Sequence, residues 1–440
     1  MQSSENKGVI FYFLHKSWVL ISTLLTLFFV ISKFTSEQQG YYYTILSIVA
    51  FQTLAEFGFN TGLTHFISHE WCHLSIEKGQ VIGDQNAQAR LRSLLRITAV
   101  WTVVSTFILV VGIGFGGEYF LSTYRKSTTV EWEGPWWAVC FMLIPGSISA
   151  TLRCIAESVD RVAFSQKSIL IGSIIGNCVA WVAFILDAQL YIIALNLGVS
   201  ALITIFLLAY SLKPILKLYF FPLSMPKINW RKDFMPHQLR IGISWICGLA
   251  MFQTFVPFIF YYRGAIEAGQ AGILLQAYSL ANTLGMAWVI SNTPNFGKAW
   301  VLKDPLALNA LTNKIGKKSA YTVIFAAAMG MIIVALIKYY MPQFGNRIGS
   351  LSALYVLFLT CIIMQSSNAY TAAVRFQKKE KFLMSSIISA GLVISSNYWM
   401  SQLSVEFVFL GFFIIMSFVL VPWIYFIYNR EINNMSRSEG

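Results

Sequence analysis

Long runs of apolar residues alternate with short polar segments along the whole chain. A helix needs about 20 mostly apolar residues to cross roughly 30 Å of hydrocarbon, and it pairs its own backbone polar groups in lipid. No run shows the two-residue alternation of a membrane β-strand. We therefore predict an all-α polytopic membrane protein with about twelve transmembrane helices, at residues 11–32, 41–66, 94–115, 135–156, 167–186, 190–211, 240–262, 269–291, 319–338, 350–373, 382–401 and 405–428.

The positive charges predict an orientation for these helices. The 440 residues include 32 Lys and Arg against 19 Asp and Glu, a net charge of +13. If the N-terminus is cytoplasmic, 26 of those 32 positive residues fall on the cytoplasmic side and 6 on the other. This asymmetry follows the positive-inside rule and predicts that both termini are cytoplasmic. Because the excess marks topology, it does not indicate a nucleic-acid partner.

A proline-containing cytoplasmic linker at 212–239 divides the chain into two halves. We expect an N-terminal six-helix bundle at 1–211 and a C-terminal one at 240–440. The first apolar run is too long for a signal peptide, so we expect it to remain as the first helix. The six cysteines lie in or beside the predicted spans and form no disulfide framework.

One motif has the spacing of a zinc hydrolase. His69-Glu70-Trp71-Cys72-His73 spells H-E-x-x-H, and His65 lies four residues earlier. A zinc site would need a further ligand and a glutamate that activates water. Because the motif falls at the cytoplasmic end of the second predicted helix, an amphipathic helix end is the favoured interpretation. We therefore predict no metal site and no catalytic residue.

Glu56 is an acidic residue deep within the second predicted span. It lies about ten residues from the cytoplasmic end, which is roughly 15 Å along a helix axis. Ionisable residues at such depth are expensive to bury and often functional. Glu56 is therefore our candidate for coupling to a proton or cation, and a structural bond to a neighbouring helix is the alternative.

Several polar residues in or beside the predicted helices are candidates for binding a substrate. Arg153, Glu157 and Arg161 follow one another at four-residue spacing, which predicts either an ion-pair ladder or a charged vestibule. Arg263 is a lone positive residue at the outer end of its helix, where it either snorkels to the interface or lines an exit. Gln276 and Asn282 lie deepest in the eighth predicted helix, where they bond across helices or bind sugar hydroxyls.

Short motifs occur in both halves of the chain. The first half contains Ser36-Glu37-Gln38-Gln39-Gly40-Tyr41-Tyr42-Tyr43, Glu56-Phe57-Gly58-Phe59 and Ser68-His69-Glu70. The second half contains Glu267-Ala268-Gly269-Gln270-Ala271-Gly272, Asn292-Thr293-Pro294 and the stretch from Tyr370 to Glu380. With these motifs the chain resembles the O-antigen flippases, which are polysaccharide transporters of the multidrug/oligosaccharidyl-lipid/polysaccharide exporter superfamily.

The resemblance implies two six-helix bundles around a central cavity, working by alternating access in a bacterial inner membrane. The implied substrate is an undecaprenyl-diphosphate-linked oligosaccharide, moved from the cytoplasmic to the periplasmic leaflet. Arg153, Arg161 and Arg375 would attract the diphosphate, and Glu56 would couple transport to a proton or cation. Gln276 and Asn282 would contact sugar, and Arg263 would serve the outer gate. Unlike many members, this chain has its arginines near helix ends instead of deep within the helices.

The expected partners are the lipid-linked oligosaccharide, membrane lipids and other polysaccharide-assembly proteins. We expect a non-enzymatic protein without a cofactor, since the sequence has no Walker phosphate-binding loop. One alternative is a cation-coupled drug antiporter of the same superfamily, which would favour acids over arginines. Another is an integral membrane polysaccharide polymerase, for which a sizeable arginine-rich periplasmic loop would be expected.

Overall fold

The computed structural model describes residues 2–53, 59–124, 129–220, 235–302, 304–375 and 381–437. These residues are almost entirely helical, so the predicted all-α class is confirmed. Within these ranges, ten helices are long and apolar enough to cross a membrane. The predicted span 41–66 includes residues 54–58, which lie outside the described residues. The predicted span 382–401 corresponds to an 18-residue helix that contains five serines.

The chain forms two compact units that do not follow sequence order. Unit 1 comprises Met1–Gln38 and Ile48–Trp245, and unit 2 comprises Gln39–Ser47 and Ile246–Gly440. Helix α2, Ser36–Val49, therefore contributes residues to both units. Part of the predicted linker 212–239 is helical, because the helix that precedes it continues to Lys217. Residues 221–234 of the linker lie outside the described residues.

Unit 1 is a helical bundle with one small β-hairpin. Its elements are α1 (Gln2–Lys33), α3 (Phe59–Trp71), β1 (Leu74–Glu77), β2 (Gln80–Gly83), α4 (Gln85–Thr123), α5 (Glu133–Ser158), α6 (Val162–Ile185) and α7 (Tyr191–Lys217), followed by a 3-10 turn at Leu218–Phe220. The Asp84 side chain caps α4 by accepting hydrogen bonds from the backbone N–H groups of Asn86 and Ala87.

The β-hairpin was not predicted from the sequence. Strands β1 and β2 pair antiparallel through a two-residue turn at Lys78 and Gly79, whose φ angles are 49° and 75°. Positive φ at both turn residues matches the twist of a tight hairpin, and glycine adopts it without strain. Leu74 and Val81 are buried in the same apolar cluster as Leu63 and Leu91. This cluster fixes the end of α3 against α4.

Unit 2 is a second helical bundle. Its elements are α8 (Met235–Gln253), α9 (Phe255–Arg263), α10 (Ala265–Ser291), α11 (Thr293–Val301), α12 (Pro305–Tyr340), α13 (Pro342–Ile348), α14 (Leu351–Arg375), α15 (Leu383–Met400), α16 (Val405–Ile415) and α17 (Val421–Arg437), with a π-helical turn at Met416–Leu420 between the last two. The part of α8 before Ile246 belongs to unit 1. Pro294 lies in the first turn of α11, where the fixed φ of proline suits the start of a helix.

Glycines let residues 39–47 lie close to the helices of unit 2. A Cβ at Gly40 would overlap the backbone of Ala265, and one at Gly272 would overlap the ring of Tyr43. The Tyr43 hydroxyl donates a hydrogen bond to Oε1 of Gln276 at 2.6 Å. Small residues at a contact allow helix backbones to approach in this way. This segment is therefore an integral part of unit 2.

Candidate functional site

Arg153 lines a cavity of about 360 Å³ in unit 1. The cavity lies between α3 and α5, and its lining residues are Asn60, Thr64, His65, Ala150, Arg153, Cys154 and Glu157. The Nε of Arg153 is buried and has no hydrogen-bond partner among the described residues. His15 of α1 is close enough to Arg153 to interact with it electrostatically. The guanidinium group of an arginine that lines a cavity can bind an oxyanion there.

The ion-pair ladder that the spacing suggested at this helix end does not form. Oε1 of Glu157 accepts hydrogen bonds from Ser165 Oγ at 3.0 Å and from Gln166 Nε2 at 3.1 Å. Arg161 donates from one nitrogen to the carbonyl oxygen and the hydroxyl of Ser211. In the part of the chain that the structure describes, no carboxylate lies within 4 Å of Arg153 or Arg161.

Arg161 lies between two membrane-spanning helices and keeps its charge in that position. Partial burial lowers the pKa of its guanidinium from the ordinary value of arginine. The guanidinium group is nevertheless effectively always protonated in proteins. Arg161 therefore adds positive charge near this end of unit 1, while its Ser211 contacts hold the side chain in place.

The glutamate of the H-E-x-x-H motif takes part in an ion pair between two helices. Glu70 is buried, and its Oε2 accepts a hydrogen bond from Nε of Arg90 at 2.7 Å. Its other oxygen lies 3.5 Å from Nδ1 of His69, which is largely exposed. Among the described residues, no three His, Cys, Asp or Glu side chains are arranged to hold a metal ion. The ion pair with Arg90 tethers α3 to α4.

A second cavity, of about 410 Å³, lies within unit 2. Its lining residues are Arg263, Glu267, Gln270, Leu274, Lys338, Asn346, Gly349, Ser350, Ser404, Val405 and Glu406. Arg263 is not the lone positive residue that the sequence suggested. It makes a two-bond ion pair with Glu267, with nitrogen–oxygen distances of 2.9 and 3.0 Å. We call this cavity the unit 2 crevice.

The predicted sugar-binding amides take part in hydrogen bonds within unit 2. Gln276 accepts from Tyr43, as described above. Asn282 accepts from the fully buried Gln365 through its side-chain and backbone oxygens, at 2.7 and 2.9 Å. Gln365 in turn accepts from Ser319 at 2.9 Å. This network joins α10, α12 and α14, which is the cross-helix bonding that the sequence offered as an alternative role.

Two of the predicted site residues lie at or beyond the edge of the described segments. Arg375 is exposed at the end of α14, just before residues 376–380, which are outside the described residues. Glu56 lies outside the described residues, so its coupling role stays a prediction from the sequence. Of these two cavities in the described part of the chain, one is lined by Arg153 and the other by Arg263, and neither is lined by Arg161 or Arg375.

Both cavities contain residues that sequence reasoning did not select. Asn60 and Thr64 line the cavity of Arg153 in unit 1, and Gln270, Lys338, Ser350 and Glu406 line the unit 2 crevice. Gln270 was noted only as part of a family-like motif. Each of these types is common at helix ends, so only tertiary packing shows which of them converge.

A scan of the chain against models of known protein families finds no match, and a comparison with curated proteins finds none either. Solved structures do show the same fold. One is described as the inward-facing conformation of a multidrug resistance MATE family transporter of the MOP superfamily. The alignment covers 98% of this chain and 99% of that one, at 14% sequence identity and a TM-score of 0.71.

Two further structures extend the likeness. An outward-facing multidrug resistance MATE transporter aligns over 99% of this chain and 97% of its own, at 13% identity and a TM-score of 0.57. A MOP superfamily transporter from Pyrococcus furiosus, described as having a binding pocket of reversed polarity, aligns over 98% and 96%, at 13% identity and a TM-score of 0.59. This multi-pass membrane protein therefore has the MATE-like helical fold.

Proposed function

We propose that this protein is a non-enzymatic flippase for an undecaprenyl-diphosphate-linked oligosaccharide, working by alternating access in a bacterial inner membrane. One observation carries the choice of substrate: Arg153 faces a cavity of unit 1 without a carboxylate partner among the described residues. The MATE-like fold supports a transporter, and the sequence resemblance to O-antigen flippases supports the lipid-linked oligosaccharide.

A diphosphate group requires cations whose hydrogen-bond donors are available. Guanidinium groups bind phosphate oxygens in a planar two-bond geometry, which makes arginine the preferred residue for this role. The buried Nε of Arg153 has no hydrogen-bond partner among the described residues, and no carboxylate of those residues lies within 4 Å of its guanidinium. Arg161 and Arg375 attract the anion toward the same predicted cytoplasmic side.

The remaining assignments follow the sequence predictions. Glu56 couples movement to a proton or cation, Gln276 and Asn282 contact sugar, and Arg263 acts at the outer gate. The two amides can serve sugar only by exchanging bonds that they now make with Tyr43 and Gln365. The lipid tail stays in the bilayer, because burying it in protein is not needed to move the headgroup.

A cation-coupled drug antiporter is the second candidate, and the structural neighbours described as multidrug transporters favour it. The two candidates differ in the sign of the substrate. An organic cation next to an unpaired arginine is repelled, whereas a diphosphate is attracted.

Vesicles containing the purified protein test the proposal directly. We expect it to move a fluorescent undecaprenyl-diphosphate-linked oligosaccharide between leaflets, and Arg153→Ala to lower the rate at least roughly tenfold, corresponding to about 1.4 kcal/mol. Arg153→Lys should retain part of the rate. Lys167→Ala is the matched control, because Lys167 is an exposed cation near the start of α6 outside the cavity.

Equal rates for the wild-type protein and Arg153→Ala would contradict the diphosphate assignment. Transport of an organic cation, with no movement of the lipid-linked sugar, would instead support the antiporter. A Glu56→Gln variant with an unchanged rate and unchanged pH dependence would remove the coupling role from that residue.

A further inference from the structure

The unit 2 crevice is built where several helix ends meet. Arg263 ends α9, Glu267 and Gln270 lie in the first turns of α10, and Lys338 lies in the last turn of α12. Two glycines with positive φ make the turns here: Gly349, at 91°, lines the crevice, and Gly264, at 93°, joins α9 to α10 next to Arg263. Other residues reach that conformation only with strain, so these turns hold the surrounding side chains in position. The volume of about 410 Å³ suits a small molecule.

The charges that line this crevice balance one another. Arg263 is paired with Glu267, and it also interacts electrostatically with Glu406. Lys338 supplies the second positive charge, and it has no carboxylate within 4 Å among the described residues. Two positive and two negative side chains therefore line one cavity. A phosphate would meet two carboxylates there, and a cation would meet Arg263 and Lys338.

Hydrogen-bonding groups of both kinds remain in the crevice. The Lys338 ammonium is a donor only, and the Glu406 carboxylate is an acceptor only. Gln270 donates from Nε2 to the backbone oxygen of Asn346 at 2.8 Å, which leaves Oε1 as an acceptor. Ser350 bonds to Glu406, and its oxygen accepts from the Ala353 backbone N–H at 3.2 Å. Glu406 is thus held in place from the start of α14.

A sugar hydroxyl both donates and accepts hydrogen bonds, so neutral polyols can use neighbouring donors and acceptors at once. We propose that the unit 2 crevice binds a neutral saccharide, with Gln270, Lys338 and Glu406 bonding its hydroxyls. Leu274 and Val405 are the apolar side chains among the lining residues, and both are largely buried. The choice of a saccharide rests on the proposed function, and it gives that function a sugar-binding site on the side predicted to face away from the cytoplasm.

Saturation-transfer NMR on the full chain in lipid nanodiscs tests this site without transport. The probes are water-soluble neutral sugars without lipid or phosphate: di-N-acetylchitobiose, lactose and mannotriose, with glucuronic acid and inorganic pyrophosphate as charged comparisons. We expect saturation of at least one neutral sugar, and at least a fivefold weaker affinity in Gln270→Ala and in Glu406→Gln. Lys167→Ala, a change of an exposed cation outside both cavities, should bind the sugar as the wild-type protein does.

Three results would overturn the assignment: saturation of no neutral sugar, equal saturation in the Gln270 and Glu406 variants, or a preference for the charged probes. Each variant is compared only if it is monodisperse with an unchanged melting temperature, and Lys338→Met provides an independent third change. Arg153-dependent movement of the lipid-linked substrate with no sugar binding would reject the crevice alone. Sugar binding without any such movement would reject the proposed function and leave the crevice in place.

Discussion

The two cavities contain the same sequence element with opposite outcomes. Arg153 and Glu157 in unit 1, and Arg263 and Glu267 in unit 2, are each four residues apart. Only the second pair forms an ion pair, because Glu157 is taken by Ser165 and Gln166 at the start of α6. Spacing therefore makes a pair possible, and competing donors from a neighbouring helix decide whether it forms. One cavity is left with an available guanidinium and the other with a neutralised one.

The largest expected difference between the cavities concerns binding of an anion. Arg153→Ala should weaken binding of inorganic pyrophosphate roughly tenfold to a hundredfold, since hydrogen bonds to charged groups contribute about 1.5–3 kcal/mol. Arg263→Ala should change it less than about twofold, because that guanidinium is already paired. Titration calorimetry on the purified protein measures both. Equal losses in the two variants would show that pairing does not distinguish the cavities.

A second change should give the unit 1 cavity a paired arginine, as the unit 2 crevice has. Ser165→Ala combined with Gln166→Ala removes both donors to Glu157. The freed carboxylate can then pair with Arg153, and pyrophosphate affinity should fall roughly threefold to tenfold, as expected for a competing charge-assisted bond. Adding Glu157→Gln to this variant should restore the affinity. Without that restoration, the loss would have a cause other than Glu157.

A third change should leave the arginine of the unit 2 crevice without its Glu267 partner. Glu267→Gln removes the partner of Arg263 while keeping the shape of the side chain. Pyrophosphate affinity at the crevice should rise about twofold to threefold at low salt, because exposed charges interact weakly. The gain should disappear as salt shortens the screening length to about 8 Å at physiological ionic strength. A gain that persists in high salt would indicate a new specific site instead.

The smallest expected effect on binding comes from the ion pair outside both cavities. Glu70→Gln should leave anion binding unchanged and lower the free energy of unfolding by about 1–2 kcal/mol, since a charged hydrogen bond to Arg90 is lost. A melting curve in detergent measures the loss. A metal chelator should change neither property of the wild-type protein. Chelator-sensitive stability would reopen the zinc interpretation of the H-E-x-x-H motif.

Much of the fold could be predicted from the sequence, because burial in lipid requires long apolar helices. The spans at 135–156 and 319–338 lie within α5 and α12. The β-hairpin was not predicted, since its strands of four residues are too short for a clear alternation. The helices also extend further than predicted where their ends leave the apolar region, as in the 39-residue α4.

The candidate site was less predictable than the fold. Sequence reasoning selected Arg153, which lines a cavity, and it noted the spacing of Glu157 and Arg161. It missed the Arg263–Glu267 pair because the negative partner lies past the helix end, on the next helix. It could not assign Glu157 to Ser165, since which side chain a carboxylate contacts depends on how α5 and α6 meet.

Residues 39–47 separate the order of synthesis from the order of assembly. The ribosome makes this stretch before any other part of unit 2, yet its partners Ala265, Gln276 and Arg347 are translated much later. Unit 2 therefore cannot be completed by the second half of the gene alone. An exchange of C-terminal halves between two related proteins, with the crossover at the predicted linker, would need to carry residues 39–47 with it.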